Sequence, residues 1–361
     1  MTSMPRRALL SGAMAVAATA GLSTARADGA PQGRPCDAVE GLLRLFATTP
    51  VVALNEGAHH LQDCWDFLAA VMFHPGFREV GAIVIELGNS RHQNVADDFV
   101  NGGIVRKSTL QKIWRDTTQS PFATGDIPVI FRLLSLARTI NLHTRRANPL
   151  RVLLADPPID WTQIRNRDDH GRLLSQRDDS WTEVITREVL ARQQRCLTIG
   201  GGLHFFRNLP FLGTVPPGTP LPSHKNVSAL IEQKHPGSVS VVHTHAIVAR
   251  DKIAQVEHHL NGWARPSIAA TARTSYGTVA AADIMSDLPP EIRQRFGSLT
   301  VADLADHVLF LGRRSELTAA VTDWEVFYEP TYWAELNRRK ALIEFPRDLD
   351  QLRQEENPAM F

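Results

Sequence analysis

From about Val39 onward, short apolar or β-branched runs alternate with longer segments of helical period, and this rhythm restricts the fold more than any other feature. It predicts βα units and an α/β architecture: a largely parallel sheet with helices on both faces. The runs that read as strands are Val51 to Leu54, Ala82 to Glu86, Arg151 to Ala155, Cys196 to Ile199, Val239 to His243 and His307 to Leu311. Between the first two, Leu61, Cys64, Trp65, Leu68 and Met72 share one helical face while Gln62, Asp63 and Asp66 share another. Further helices are predicted at Gln93 to Asn101, Ile127 to Thr144, Ser180 to Gln194 and Pro330 to Leu342. The segment 210–222 holds five prolines with Gly213 and Gly218, so it reads as a long loop, either a lid or an extended connector. After residue 223 the rhythm loosens, and a domain running over 36–361 can carry a small C-terminal subdomain from about residue 224.

The strand ends carry the chemistry. Val51 to Leu54 is followed by Glu56-Gly57-Ala58-His59-His60, Ile83 to Ile85 by Glu86, and Cys196 to Ile199 by Gly200-Gly201-Gly202-Leu203-His204. Ligands of open parallel sheets bind beyond the carboxyl ends of the strands, where helix N-termini also offer N–H groups. A lone strand-end Glu caps a helix and a lone His is usually structural. Several such groups at one edge instead suggest a site held together by mutual hydrogen bonds, because carboxylates and imidazoles resist burial unless paired. For hydrolysis the set is apt: an imidazole titrates near neutrality and takes a proton from water, while a carboxylate on its other nitrogen fixes the tautomer. His59 is then the base, Glu56 or Glu86 its orienter, and His204 the group that protonates the leaving group or polarises a carbonyl. His60 and Asp156 stand at the same edge as expected substrate contacts.

The same Glu56, His59, Glu86 and His204 also suit a divalent metal by ligand type, and that reading stays open. The spacing matches no zinc motif, because H-E-x-x-H and its inverse are both absent. No G-x-S-x-G elbow or phosphate loop occurs, and Gly200-Gly201-Gly202 lacks the third glycine of the dinucleotide fingerprint. His243-Thr244-His245 puts two imidazoles on one strand face, read as half-exposed or as a second ligand pair. Glu257-His258-His259 and Arg338-Arg339-Lys340 read as solvated faces, and Asp303, Asp306 and Asp323 take no role.

Val51 to His59 resembles the opening strand and G-E-x-x-H-G turn of the erythromycin esterase-like family, and Gly76-Phe77 through Glu86 is similar to the strand that follows. Arg91 to Gly102 resembles that family's next helix, and the run closing on His204 its later strand. The resemblance spans about Val51 to Phe206 and extends to the ChaN-like haem-uptake proteins and the Tiki/TraB metalloprotease-like proteins. It implies an erythromycin esterase/ChaN-like fold, ester chemistry at Glu56, His59, Glu86 and His204 on a small-molecule substrate, or alternatively haem or metal capture by the same edge, or a catalytically silent member of the fold. Three positions depart from the pattern: Asn55 replaces a glycine, Gly200 or Gly201 replaces a first histidine, and His60 replaces a glycine.

Arg6-Arg7, an apolar stretch to about Leu22 and Ala25-Arg26-Ala27 read as a secretory signal over 1–27, and the paired arginines also fit twin-arginine export. The mature protein is therefore expected to be periplasmic or secreted, without a membrane span. A net charge of +1 supplies no field to gather nucleic acid. Cys36 with Cys64 is a candidate bridge, whereas Cys196 lies in an apolar run and reads as a buried small hydrophobe.

Overall fold

The structure is a computed structural model that describes residues 34–120, 128–144, 148–210, 212, 225–285, 288–320, 328–346 and 348–351. The stretch 1–27 read as a signal, nearly all of the proline-rich segment and Asp323 lie outside the described residues.

The sheet has eight strands: β1 (Cys36–Asp37), β2 (Val51–Asn55), β3 (Ala82–Asn89), β4 (Arg151–Asp156), β5 (Cys196–Gly200), β6 (Val239–Thr244), β7 (Ser267–Ala270) and β8 (His307–Phe310). Their order is β1-β7-β8-β6-β2-β5-β3-β4. From β8 to β4 all neighbours run parallel, while β7 is antiparallel to both β8 and β1. Alternation along the strands feeds two cores. Val52, Leu54, Ile83 and Ile85 face one side, covered by α1 (Ala38–Leu45), α2 (Gln62–Phe73), α3 (Gln93–Val100), α4 (Lys107–Arg115) and α5 (Pro128–His143). Val51, Ala53, Ala82 and Val84 face the other, against α7 (Arg177–Glu188) and α8 (Val227–Lys234), with α6 (Arg167–Leu174) preceding them in the chain. The layered α/β fold with helices on both faces is thus the one observed. No helix of the described residues is long and apolar enough to cross a membrane.

Every run read as a strand is a strand. Two short ones were not legible, β1 and β7, which have too few residues to show a period and lie at the antiparallel margin. β3 continues past Glu86 to Asn89 through a register irregularity against β4. Residues after 224 add β6, β7 and β8 to this same sheet, with β6 paired directly to β2.

Several expectations are corrected. Cys36 and Cys64 do not pair: all three thiols are free, with Cys36 Sγ 3.5 Å from the Ile268 carbonyl and Cys64 buried within α2. Arg339, read as part of a solvated face, is 4% exposed. It lies over the Trp161 ring at 4.8 Å and donates to Asp116 at 2.6 Å and to the Arg115 carbonyl at 2.7 Å. A helix surface of alternating charge conceals this because guanidinium can be buried once its donors are met.

Candidate functional site

The chain leaves β2 for β3, fills β4, returns to insert β5 between β2 and β3, and then crosses to the far side for β6. The order reverses around β2 and β5, and their carboxyl ends are therefore the topological crevice of the sheet. Glu56, Glu86 and the turn to His204 all lie there.

The first turn is built by Asn55, Gly57 and Glu56. Gly57 has φ of +80°, and a Cβ there would lie 2.6 Å from the Ala246 side chain, so only glycine fits. Asn55 Oδ1 accepts the Gly57 N–H at 2.9 Å, and the Glu56 N–H donates to the Gly200 carbonyl at 3.1 Å, locking β2 to β5. The turn folds His59 back over Glu56, with Nδ1 2.6 Å from Oε1.

Glu86 is the hub. A Cβ at Gly200 would lie 2.5 Å from its Oε2 and 2.3 Å from the Trp181 ring, so the glycine run gives this carboxylate room. Its Oε2 accepts the Gly201 N–H at 2.7 Å, and its Oε1 accepts from Gln119 and from Arg177. His59 Nε2 stands 3.8 Å and His204 Nε2 3.4 Å from that same Oε1. His204 Nδ1 meets Asp178 Oδ1 at 2.5 Å. Two imidazole–carboxylate dyads, His59 with Glu56 and His204 with Asp178, therefore face one shared carboxylate.

Burial would lower the pKa of both histidines, but the carboxylates outweigh it. Glu86 and Glu56 raise His59 to about 9, and Glu86 and Asp178 raise His204 to about 9. Burial alone would raise Glu86, yet His59, His204 and Arg177 hold it well below the ordinary carboxylate range. The cluster is a balanced set of buried opposite charges.

Not every predicted residue joins it. His60 is exposed on the outer side of the turn, where its carbonyl accepts the Ala320 N–H at 2.6 Å. Asp156 is enclosed behind the cluster at 2% exposure, out of reach of a substrate. It accepts from the Thr118 N–H at 2.7 Å and hydroxyl at 2.5 Å, while Arg177 Nε lies 3.5 Å away. Burial raises its pKa to about 7, against the pull of Arg177 and Thr118. His170 Nε2 meets the Thr118 carbonyl at 2.7 Å, so Asp156 and His170 together brace the segment that delivers Gln119 to Glu86.

Three members of the cluster escaped the sequence: Gln119, Arg177 and Asp178. Gln119 sits in irregular chain and bears no local mark. Arg177 had one available signal, since α7 starts there rather than at Ser180 and a cation in a first helical turn opposes the helix dipole. Such a residue needs a partner elsewhere, and Glu86 is that partner.

A second polar group lies under the end of β6. His243 and His245, read as half-exposed, are 2% and 0% exposed, because β6 is flanked by β2 and β8 and capped by Tyr276. Glu257, in α9 (Ile253–His258), is likewise buried rather than solvated and lies 3.4 Å from His245 Nε2.

Glu56, His59 and Glu86 could converge on a metal ion, with one ligand atom each within 4.8 Å of the others. The donor set fits poorly. Both oxygens of Glu86 are already occupied and Glu56 Oε1 is taken by His59, which leaves the buried Glu56 Oε2 and His59 Nε2 as the atoms of the set without a hydrogen bond. A dication there would also face the Arg177 guanidinium, which already contacts Glu86. The apolar crevice adjoining the cluster measures about 120 Å³, the scale of a single benzene-sized group rather than of a porphyrin.

No protein-family profile matches this sequence, and no curated protein does. Solved structures are similar to it. A Bacillus cereus protein shares 10% identity over 80% of this chain and 95% of its own, at a TM-score of 0.53. A succinoglycan biosynthesis protein shares 7% over 77% and 93%, and an erythromycin esterase in its open conformation 10% over 75% and 93%, each at a TM-score of 0.46. At such identities the likeness is one of fold: the chain has the α/β fold of the Bacillus cereus protein, and an erythromycin esterase is among the structures similar to it.

Proposed function

We propose that this chain is a hydrolase of small esters or amides in which His59 activates water and His204 protonates the leaving group. The observation that carries this is the pair of imidazole–carboxylate dyads meeting on Glu86. Neutral His59 keeps its Nδ1–H on Glu56 and offers the Nε2 lone pair to a water at the open face of the ring. The proton moves to Nε2 as the hydroxide oxygen bonds to the carbonyl carbon. His204, as imidazolium held by Asp178, gives its proton to the departing oxygen or nitrogen, and exchange between the rings and solvent restores the starting state. Because both rings share Glu86, losing one proton makes the other harder to lose. A singly protonated pair, one base and one acid, therefore exists over a finite pH window.

Both pKa values stand near 9, so at neutral pH the base is almost fully protonated. Hydrolysis of 4-nitrophenyl acetate is expected to rise about tenfold per pH unit from pH 7 toward 9 and to fall at higher pH as His204 loses its proton. Chelator should leave it unchanged. A rate flat between pH 7 and 9, after subtraction of spontaneous hydrolysis, would sink the assignment.

The proposal includes export. Its motivation is the Arg6-Arg7, apolar stretch and Ala25-Arg26-Ala27 pattern, and the expected mature chain begins at Asp28. Intact-mass analysis of fractionated cells should find that shortened chain outside the cytoplasm; full-length protein confined to the cytoplasm would contradict it.

A further inference from the structure

Beside the dyads lies an apolar crevice of about 120 Å³ that the hydrolytic steps do not use. Its near wall is made by the two turns that carry the dyads: Gly57 falls between Glu56 and His59, and Gly202 with Leu203 directly precedes His204. Leu203, next to His204 in the chain, is 37% exposed and contributes apolar surface to the crevice lining. Phe206 forms part of the floor, and Ile284, Met285 and Ile247 form the opposite wall.

Two polar side chains, Asn55 and His243, also line it. A directed chain engages both, leaving a single Asn55 Nδ2–H outside it. Asn55 Oδ1 accepts the Gly57 N–H, which fixes the amide so that Nδ2 donates to His243 Nδ1 at 3.0 Å. His243 then carries its proton on Nε2 and donates to the Tyr276 oxygen at 3.1 Å. The Tyr276 hydroxyl in turn donates to His245 Nδ1 at 3.2 Å, and His245 Nε2–H donates to Glu257 Oε1 at 3.4 Å. Burial, then the neighbouring His245, pushes the pKa of His243 down to about 3, so the ring stays neutral. The crevice is thus apolar in effect even where its lining is not.

We infer that this crevice binds an apolar group of about four to six carbons attached next to the scissile carbonyl, making medium-chain or compact cyclic esters the preferred substrates. This rests on the hydrolase reading above. The size follows from the volume, which falls below that of a cavity able to hold benzene. The crevice shares Gly57, Gly202 and Leu203 with the two dyad turns, and the inference sets the reacting carbonyl at that shared edge.

The test is hydrolysis of 4-nitrophenyl acetate, butanoate, hexanoate and octanoate, with ethyl, butyl and hexyl acetates as a second arm that separates an acyl from an alcohol occupant. In one arm kcat/KM is expected to rise about fourfold per methylene up to about six carbons and then level off. Ile247→Trp, which fills the half-buried wall, should reduce the ratio of kcat/KM for hexanoate to that for acetate at least tenfold. Chain-length dependence that is flat in both arms, or unaltered by Ile247→Trp, overturns the inference while leaving the hydrolase reading standing. If no ester is cleaved, the hydrolase reading fails, and saturation-transfer NMR with hexanoate and 1-hexanol decides the crevice separately: binding lost in Ile247→Trp supports it, and no binding to the wild type overturns it.

Discussion

Alanine at His59 is expected to lower kcat for ester hydrolysis by about 10²–10⁴, the usual weight of a positioned general base. The ring is the more exposed of the two imidazoles around Glu86, at 26% side-chain exposure against 16% for His204, and it holds a short carboxylate contact to Glu56. The substitution also strips Glu56 of its contact, leaving a buried carboxylate whose Oε2 already has no partner. Activity and stability would therefore fall together, and alanine alone cannot separate them.

Glu56→Gln separates them. The amide keeps the shape and can still accept the Nδ1–H through its oxygen, but it removes one of the two charges that hold His59 near a pKa of 9. The ascending limb of the pH–rate profile should then move to lower pH, and the rate near pH 7 should hold or rise. A merely structural Glu56 would lower the rate at every pH without shifting the limb. Kinetics from pH 6 to 10 on both variants, with thermal melts alongside, distinguish the two cases.

How much of this was legible depends on the range of the interaction. The parallel strands declared themselves through continuous apolar runs, and Glu56, Glu86 and His204 were visible as ionisable residues at the ends of those runs. Strand ends in a parallel sheet converge whatever the loops do. Gln119, Arg177 and Asp178 reach the cluster through tertiary placement, and only Arg177, a cation in the first turn of its helix, carries a local hint of it. Asn55 is instructive in a different way. It stood out as a departure from a glycine pattern, and its meaning appears only when His243, 188 positions away, is seen to hold its amide. His60 shows the converse, since adjacency to His59 suggested a shared role, yet His59 folds back onto Glu56 while His60 is exposed.

Glu86→Gln is expected to cause the largest loss of stability, about 3–5 kcal/mol and roughly 10 °C in Tm. An amide is nearly isosteric, but it cannot meet the hydrogen bonds around it. With its NH₂ at the Oε1 position it faces the donors of Gln119 and Arg177; turned over, it faces the Gly201 N–H, at 2.7 Å in the native site. The missing charge also leaves His59, His204 and Arg177 short of their common counter-ion. The linkage has a definite sign. The depressed pKa of Glu86 contributes stability that is present above its ordinary 4.5 and lost as pH falls through the depressed value, whereas the raised pKa values of His59 and His204 contribute stability present below their ordinary 6.5 and lost as pH rises through about 9. The gap in Tm between wild type and Glu86→Gln should be widest between about pH 4.5 and 6.5 and close progressively toward pH 9. A gap of constant size across that range would mean that Glu86 acts by shape and hydrogen bonding alone, and the two histidines would then have no shared charge through which to divide the roles of acid and base.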